Sequence, residues 1–469
     1  LEEPRIKVGL MTSRTVAFSL SGSYRMSNGE VLESGDYTAG LDEGRVTLAG
    51  PGSWNLALLR LEPVDFETSR ATVHGVTIGV EFHWERRESQ LFQGALAFEP
   101  SGEALQVINE LPLESYLVSV ISSEMSAACP PELLRAHAIV SRSWLLAQIH
   151  AETQPQVSAV HESKRDWEVR DEERARYGAA EYFIKWYDRE NHSGFDVCAD
   201  DHCQRYQGIS KAFSNEAFDA VNETRGRVLM FGGEICDARY SKSCGGVTEE
   251  FGSAWEDRDV PYLAAVYDGE EGEAPAANLS LTRESDAAAW IESSPPAFCN
   301  TDSSELLTKI LPNFDQETAD FYRWRVEYSQ DELSQIVRDR LGVDCGRIKS
   351  LRPLERGKSG RIVLLKIVAE NANYIVGKEL QIRRTLSRSH LYSSAFVVEA
   401  ASESENDTPS PPGNSGDSRF PDRFILIGAG WGHGVGLCQI GAAVMAEQGY
   451  THEEILAHYF KGARAEGRY

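Results

Sequence analysis

The stretch LESYLVSVISSEMSAACPPELLRAHAIVSRSWLLAQI, residues 113–149, is where the hydrophobic period of this chain changes from two to about 3.6. Apolar residues recur with helical spacing from Leu113 to Met125 and again from Pro131 to Ile149. Ser126, Ala127, Ala128, Cys129 and Pro130 separate the two runs. Pro131 suits the first turn of the second helix, because the N–H it lacks has no partner there anyway. Two consecutive helices are therefore expected.

Working outward, residues 1 to about 110 carry short alternating segments, such as Ile6 to Leu10 and Thr77 to Phe82. The turn pairs Asn28-Gly29 and Pro51-Gly52 fall between such segments, as in β-hairpins. Residues 151–206 are highly charged and end in a His/Cys cluster, and strand character returns at 227–230 and 361–368. The segment 266–346 reads as a helical, acidic insertion, and 347–400 as a β-rich return. Residues 401–422 (ASESENDTPSPPGNSGDSRFPD) have the composition of a disordered linker. A glycine-rich loop and two helices complete 423–469. No internal repeat is present. The fold class is α+β: a β-rich part over 1–110, a core over 111–265 with the charged loop 151–206, and inserted subdomains.

Composition narrows the function. Of 469 residues, 41% are hydrophobic and 25% charged, the balance of a soluble globular protein. A chain this long buries a large core without staples, and no apolar run is long enough for a transmembrane helix. The formal net charge of −25 argues against general nucleic-acid binding, though a local basic groove for an anion remains open. Beginning at Leu1, the chain reads as a processed or trimmed product. Eight cysteines are too few for a disulfide scaffold and leave the compartment open.

Four places could carry chemistry. Glu124 follows Val120 by four and Ile121 by three, on the stripe of Leu113, Leu117, Val120 and Ile121. A carboxylate on an apolar helix face is desolvated, which is how an acid stays protonated near neutral pH. Periodicity alone favours the plainer alternative, a helix-end Glu that escapes to solvent. Arg142, with His137 on the second helix, could pair with Glu124 or hold an anionic group; it also reads as a snorkelling Arg. His192, Cys198, His202 and Cys203 lie within twelve residues and suit tetrahedral zinc, or else a Cys198–Cys203 disulfide beside two surface histidines. The fourth place is 430–441 (GWGHGVGLCQIG), which is neither a dinucleotide fingerprint nor a Walker loop. Its alternating glycines would let the backbone approach a bulky ligand. Trp431 offers a face for a sugar ring, and His433 and Gln439 could hydrogen-bond hydroxyls. A tight buried turn with a core histidine is the plainer alternative. The loop 240–248 (YSKSCGGVT) has the same small, polar character, with Tyr240, Ser241, Ser243 and Thr248 as candidate ligand contacts.

Taken together, these segments resemble the stage II sporulation protein D (SpoIID) and amidase-enhancer family. The resemblance rests on 108–117 (INELPLESYL), 123–125 (SEM), 131–144 (PELLRAHAIVSRSW), 240–248, 356–361 (RGKSGR), 430–441 and 458–460 (HYF) with Gly462. These pieces run in the family's order over nearly the whole chain. The resemblance implies a lytic transglycosylase that cuts peptidoglycan glycan strands free of stem peptides and leaves 1,6-anhydro ends. Glu124 would be its acid and then its base, and Arg142 matches a position the family needs for activity. His192, Cys198, His202 and Cys203 fall where some members bind zinc, and four protein ligands would make that zinc structural. His137 departs from the family's usual Gln, and Cys438 from its usual Ser.

A second reading within the family is a wall-binding enhancer that assists a separate cell-wall amidase. A third, a zinc hydrolase using the His/Cys loop, conflicts with four saturating ligands. Peptidoglycan as substrate implies export to the periplasm or cell envelope, which an acidic, lysine-poor surface suits. Disulfides then become possible; the six cysteines outside the loop allow 15 full pairings that the sequence does not resolve, of which Cys299 with Cys345, which bracket the insertion, is the one chosen.

Overall fold

The computed structural model describes residues 2–79, 85–153, 177–186, 192–200, 203–210, 215–270, 272, 279–312, 320–402 and 420–469, without the side chains of 150–153. Period-two alternation near the start of the chain becomes two stacked sheets. One has seven strands, in the order Val197–Cys198, Arg5–Ser13, Ala104–Pro112, Ala95–Ser101, Leu59–Pro63, Tyr24–Met26, Val31–Leu32. The other has six, in the order Arg86–Phe92, Arg70–Ile78, Thr15–Ser21, Gly35–Asp42, Arg45–Ala49, Ser53–Leu56. Inward side chains interdigitate between them, with Phe18 of the second sheet 5.0 Å from Phe98 of the first, ring centre to ring centre.

Two helices follow, α1 (Leu113–Glu124) and α2 (Pro131–Thr153). The orphan donors of α1's first turn are satisfied from the N-terminal strand region: Leu113 N–H donates to Pro4 O at 2.9 Å and Glu114 N–H to Glu3 Oε1 at 2.8 Å. Leu113, Leu117, Val120 and Ile121 are fully buried, as their spacing predicts. Around α2 pack the helix Asn215–Glu223 and the two C-terminal helices, Gln439–Glu447 and His452–Tyr459. The last of these opens with a capping box between Thr451 and Glu454. The strand Arg464–Gly467 has no clear period in the sequence; it pairs antiparallel with Arg227–Phe231.

The segment 266–346 is not a self-contained helical insertion. Among its described residues it holds two short helices, Glu284–Glu292 and Ser304–Ile310, and then the strand Arg323–Ser329 and the helix Gln330–Leu341. Trp324, Leu333, Ile336 and Val337 share a second core with Ile348, Leu365, Ile367, Phe424 and Leu426. The apolar face of that helix packs on the sheet beyond residue 346. Cys345 belongs to this second core and Cys299 to the first, so the expected pair does not form, and no disulfide joins any of the eight cysteines, all of which are described. Most of the linker expected at 401–422 lies outside the described residues; its flanks are the antiparallel neighbours Phe396–Ala401 and Arg423–Ala429.

Strand Arg423–Ala429 runs directly into the glycine-rich loop. That loop carries the chain back to the first core, where Leu437–Cys438 pairs in parallel with Tyr240–Ser241. This crossing positions the site. Among the described residues no helix is long and apolar enough to cross a membrane.

Candidate active site

Glu124 ends α1, where Met125 turns extended and directs the chain away. The residue is buried, at 9% exposure. Oε1 accepts two hydrogen bonds, from the Arg205 N–H at 2.9 Å and the Tyr240 hydroxyl at 2.9 Å. Oε2 accepts none among the described residues. Lys242 Nζ donates to the Glu124 carbonyl at 2.9 Å and so fixes the helix end. Burial, with the Glu124 carboxylate as neighbour, pushes the Tyr240 phenol well above its ordinary value, so it stays a donor.

Behind Tyr240 stands His137, with ring centres 4.7 Å apart. Burial pushes the His137 imidazole down to about 4, so the ring is neutral at physiological pH. Gln439 Nε2 lies 2.9 Å from His137 Nε2, where the amide must donate and the ring nitrogen accept. Ser141 Oγ lies 3.2 Å from the other ring nitrogen. A chain of contacts thus runs from Gln439 through His137 and Tyr240 to Glu124. Gln439, expected to touch a ligand, is 2% exposed and serves this chain instead.

The His/Cys loop reaches the same carboxylate. His192 Nε2 lies 3.2 Å from Cys203 Sγ, and the ligand atoms of His192, Cys198 and Cys203 all fall within 4.8 Å of one another. An imidazole and two thiols so placed suit zinc. His202, the fourth expected ligand, lies outside the described residues. Cys198 is anchored by pairing with Gly9, and two residues after Cys203 comes Arg205, whose N–H holds Glu124.

The glycine-rich loop is packed against the protein's own atoms. A Cβ on Gly434 would sit 2.4 Å from the Arg361 guanidinium carbon, and one on Gly436 would sit 2.1 Å from the Arg239 carbonyl oxygen. The alternating glycines therefore admit Arg361 and the neighbouring backbone, which corrects the expectation that they admit a ligand. Arg361 is fully buried and donates to Gly432 O at 3.0 Å and Cys244 O at 3.1 Å. The neighbouring Lys358 and Ser359 N–H groups donate to Glu249. The segment 356–361 is thus the clamp on the loop.

On the surface of this assembly Tyr240, Trp431 and His433 are partly exposed. Trp431 is tied to Ser243 by reciprocal backbone bonds and packs between Phe321 and Tyr392, with ring centres 4.6 and 4.4 Å away. His433 stands edge-on to Trp255 at 4.5 Å, and burial, with Arg239 and Arg361 nearby, keeps its ring neutral. Ser241, Ser243 and Thr248 are buried. Thr248 uses its hydroxyl on the backbone of Ala264 and Val266. As the chain stands these three do not present themselves to a ligand.

Arg142 does not pair with Glu124. It is fully buried and makes a bidentate pair with Glu114, Nε to Oε1 at 3.0 Å and Nη2 to Oε2 at 2.6 Å. Glu114 also accepts from Gly226 N–H and the Tyr469 hydroxyl. Arg142 therefore positions α1 and cannot touch a substrate. Sequence reading passed over Glu114, Arg205, Lys242 and Arg361; a charged residue inside a resembling motif was the available signal for Glu114 and Arg361.

Residues 101–231, which contain Glu124, α1, α2 and the His/Cys loop, match the family model described as Stage II sporulation protein. Over this stretch the chain is similar to the SpoIID and amidase-enhancer family. Residues 249–436 match a second model, a domain of unknown function (DUF8618), which takes in the second core and most of the glycine-rich loop. An uncharacterized protein of Brachyspira hyodysenteriae is 24% identical over 375 residues, covering 79% of this chain and 71% of that one. Stage II sporulation protein D of Bacillus subtilis is 21% identical over 366 residues, 77% of this chain and 76% of its own. The amidase enhancer of the same organism is 24% identical over 269 residues, 55% of this chain and 33% of its own length. These similarities support a role connected with the cell wall.

Proposed function

We propose that this chain is a peptidoglycan lytic transglycosylase with Glu124 as its general acid and base. The observation that carries the reading is the asymmetry of the Glu124 carboxylate: Oε1 is held by Arg205 N–H and Tyr240, while Oε2 is unengaged among the described residues. Such a carboxyl group is oriented, yet keeps one oxygen for proton transfer.

In the proposed reaction protonated Glu124 donates to the oxygen that links C1 of N-acetylmuramic acid to N-acetylglucosamine, and the C1–O bond breaks. C1 takes on oxocarbenium character. The carboxylate then accepts the proton of the muramic C6 hydroxyl, and O6 bonds to C1. The product is a 1,6-anhydro end, no water is consumed, and Glu124 is again protonated. Tyr240 and Arg205 keep the carboxyl oriented through both transfers. Trp431 and His433, both partly exposed, are the rings that would face neighbouring sugars. Zinc on His192, Cys198, Cys203 and His202 would hold the loop that presents Arg205, a structural duty. The reading entails export to the envelope, where the strands are.

The test is mass spectrometry of the products after the protein alone is incubated with glycan strands, with and without stem peptides, beside Glu124→Gln. Anhydro-ended fragments from the wild type only are the expected result. Reducing ends would mean that water, not O6, attacks C1. A folded protein that binds strands, cuts none and stimulates an N-acetylmuramoyl-L-alanine amidase would replace this reading with that of an enhancer, the name carried by one relative.

A further inference from the structure

Behind the strand pair that carries Tyr240, four side chains from separate segments meet in the core. Cys244 comes from the loop after Tyr240–Ser241, Asp268 and Cys299 from the stretch that joins the two cores, and Cys438 from the N-cap of helix Gln439–Glu447. None is more than 2% exposed. One ligand atom from each lies within 4.8 Å of all the others. The cluster shares no residue with the His192 loop, and none of the Glu124 hydrogen bonds involves it.

The distances point to coordination chemistry. Cys244 Sγ and Cys299 Sγ are 3.7 Å apart. A disulfide would bring them to about 2.0 Å. Two thiolates on one tetrahedral zinc, each about 2.3 Å from the ion, stand about 3.8 Å apart. Backbone donors are aimed at the sulfurs: Cys244 N–H at Cys438 Sγ, 3.2 Å, and Gly246 N–H at Cys244 Sγ, 3.4 Å. A neutral thiol is a weak acceptor, so two buried N–H groups given over to sulfur suit thiolates.

The carboxylate is oriented in the way metal-bound carboxylates are. Tyr459 donates to Asp268 Oδ1 at 2.5 Å, and Cys299 N–H to Oδ2 at 3.0 Å. Room for both groups depends on Gly441, where a Cβ would lie 2.5 Å from Asp268 Oδ1 and 2.5 Å from the Tyr459 hydroxyl.

The geometry points to a closed structural zinc site formed by Cys244, Cys299, Cys438 and Asp268. Three sulfurs and one oxygen complete a tetrahedron and leave no open position, so the ion is a staple and does no chemistry. It ties the loop after Tyr240, the segment between the two cores and the start of the terminal helix pair into one unit. The site is independent of the transglycosylase reading: a chain without that activity would hold the metal all the same.

The test uses the full chain, purified with a thiol reductant and without chelator. Zinc per chain is measured by elemental mass spectrometry, and cobalt(II) is then substituted to read sulfur-to-metal charge-transfer absorption. In a Cys198→Ser/Cys203→Ser background, which removes the loop thiols, one equivalent of zinc and a strong thiolate–cobalt band are expected to remain. Cys299→Ser and Asp268→Asn, each compared with the wild type with folding checked by circular dichroism, should each lose one equivalent. Where the Cys299 and Asp268 variants do not fold, the Cys198→Ser/Cys203→Ser protein decides the matter, because among the described residues this cluster alone is then left to hold its zinc. Absence of retained zinc, a Cys244–Cys299 disulfide in the protein purified without reductant, or a Cys299→Ser content equal to that of the wild type would each overturn the site.

Discussion

One oxygen of Glu124 is shared by two donors, and only one of them is a side chain. Tyr240→Phe removes that donor while keeping the ring against His137. A hydrogen bond to a charged group contributes about 1.5–3 kcal/mol, so turnover should fall by about 10- to 100-fold. Product formation at saturating substrate checks this, with an unchanged thermal midpoint as the control. Arg142 makes a contrasting case. Its guanidinium is fully buried on Glu114, and removing one partner of a buried ion pair costs about 3–5 kcal/mol. Arg142→Ala should therefore lose stability in urea titration, and its activity should fall in step with its folded fraction.

The two central helices were legible because their signal is local: apolar spacing, a proline at the first turn and a break between. The pair Tyr240–Ser241 with Leu437–Cys438 was not. Strands of two residues show no period, and nothing in either segment names its partner. The Arg205 N–H on Glu124 was equally silent, since a backbone donor leaves no mark in residue type. The acidic, helical character of 266–346 is local, but the apolar face of Gln330–Leu341, with Leu333, Ile336 and Val337, finds its partners only in strands beyond residue 346. The glycine-rich loop was recognised, but its glycines were matched to a ligand when their neighbour is Arg361. That correction has a measurable side. Gly434→Ala would place a methyl 2.4 Å from the Arg361 guanidinium carbon at a φ of +79°. Strain and overpacking of this kind cost about 1–3 kcal/mol, and the variant should show a lower thermal midpoint.

Across the whole molecule, several histidines are kept neutral by burial: His137 is pushed down to about 4, His458 to about 4 and His390 to about 3. In the unfolded chain a histidine takes up its proton as pH falls through about 6.5. Between that value and about 4 the unfolded state binds the proton and the native His137 does not, so the fold is destabilised as pH falls. For fully buried His137 the loss totals about 3 kcal/mol once pH has dropped below both values. Urea midpoints should fall from pH 7.5 to pH about 5, and His137→Gln should shrink the difference. The long crossing of the chain has a consequence in time. Helix α1 can form from its own sequence, but the Glu124 carboxyl is held only once Arg205 and Tyr240 arrive, and the Tyr240 strand pairs with a segment roughly 200 residues further on. Closing so long a loop is a slow step in folding. On the proposed reading, a partly made chain would carry its acid residue in an unarmed form, and the power to cut the wall would arrive only once the strand Leu437–Cys438 is laid down.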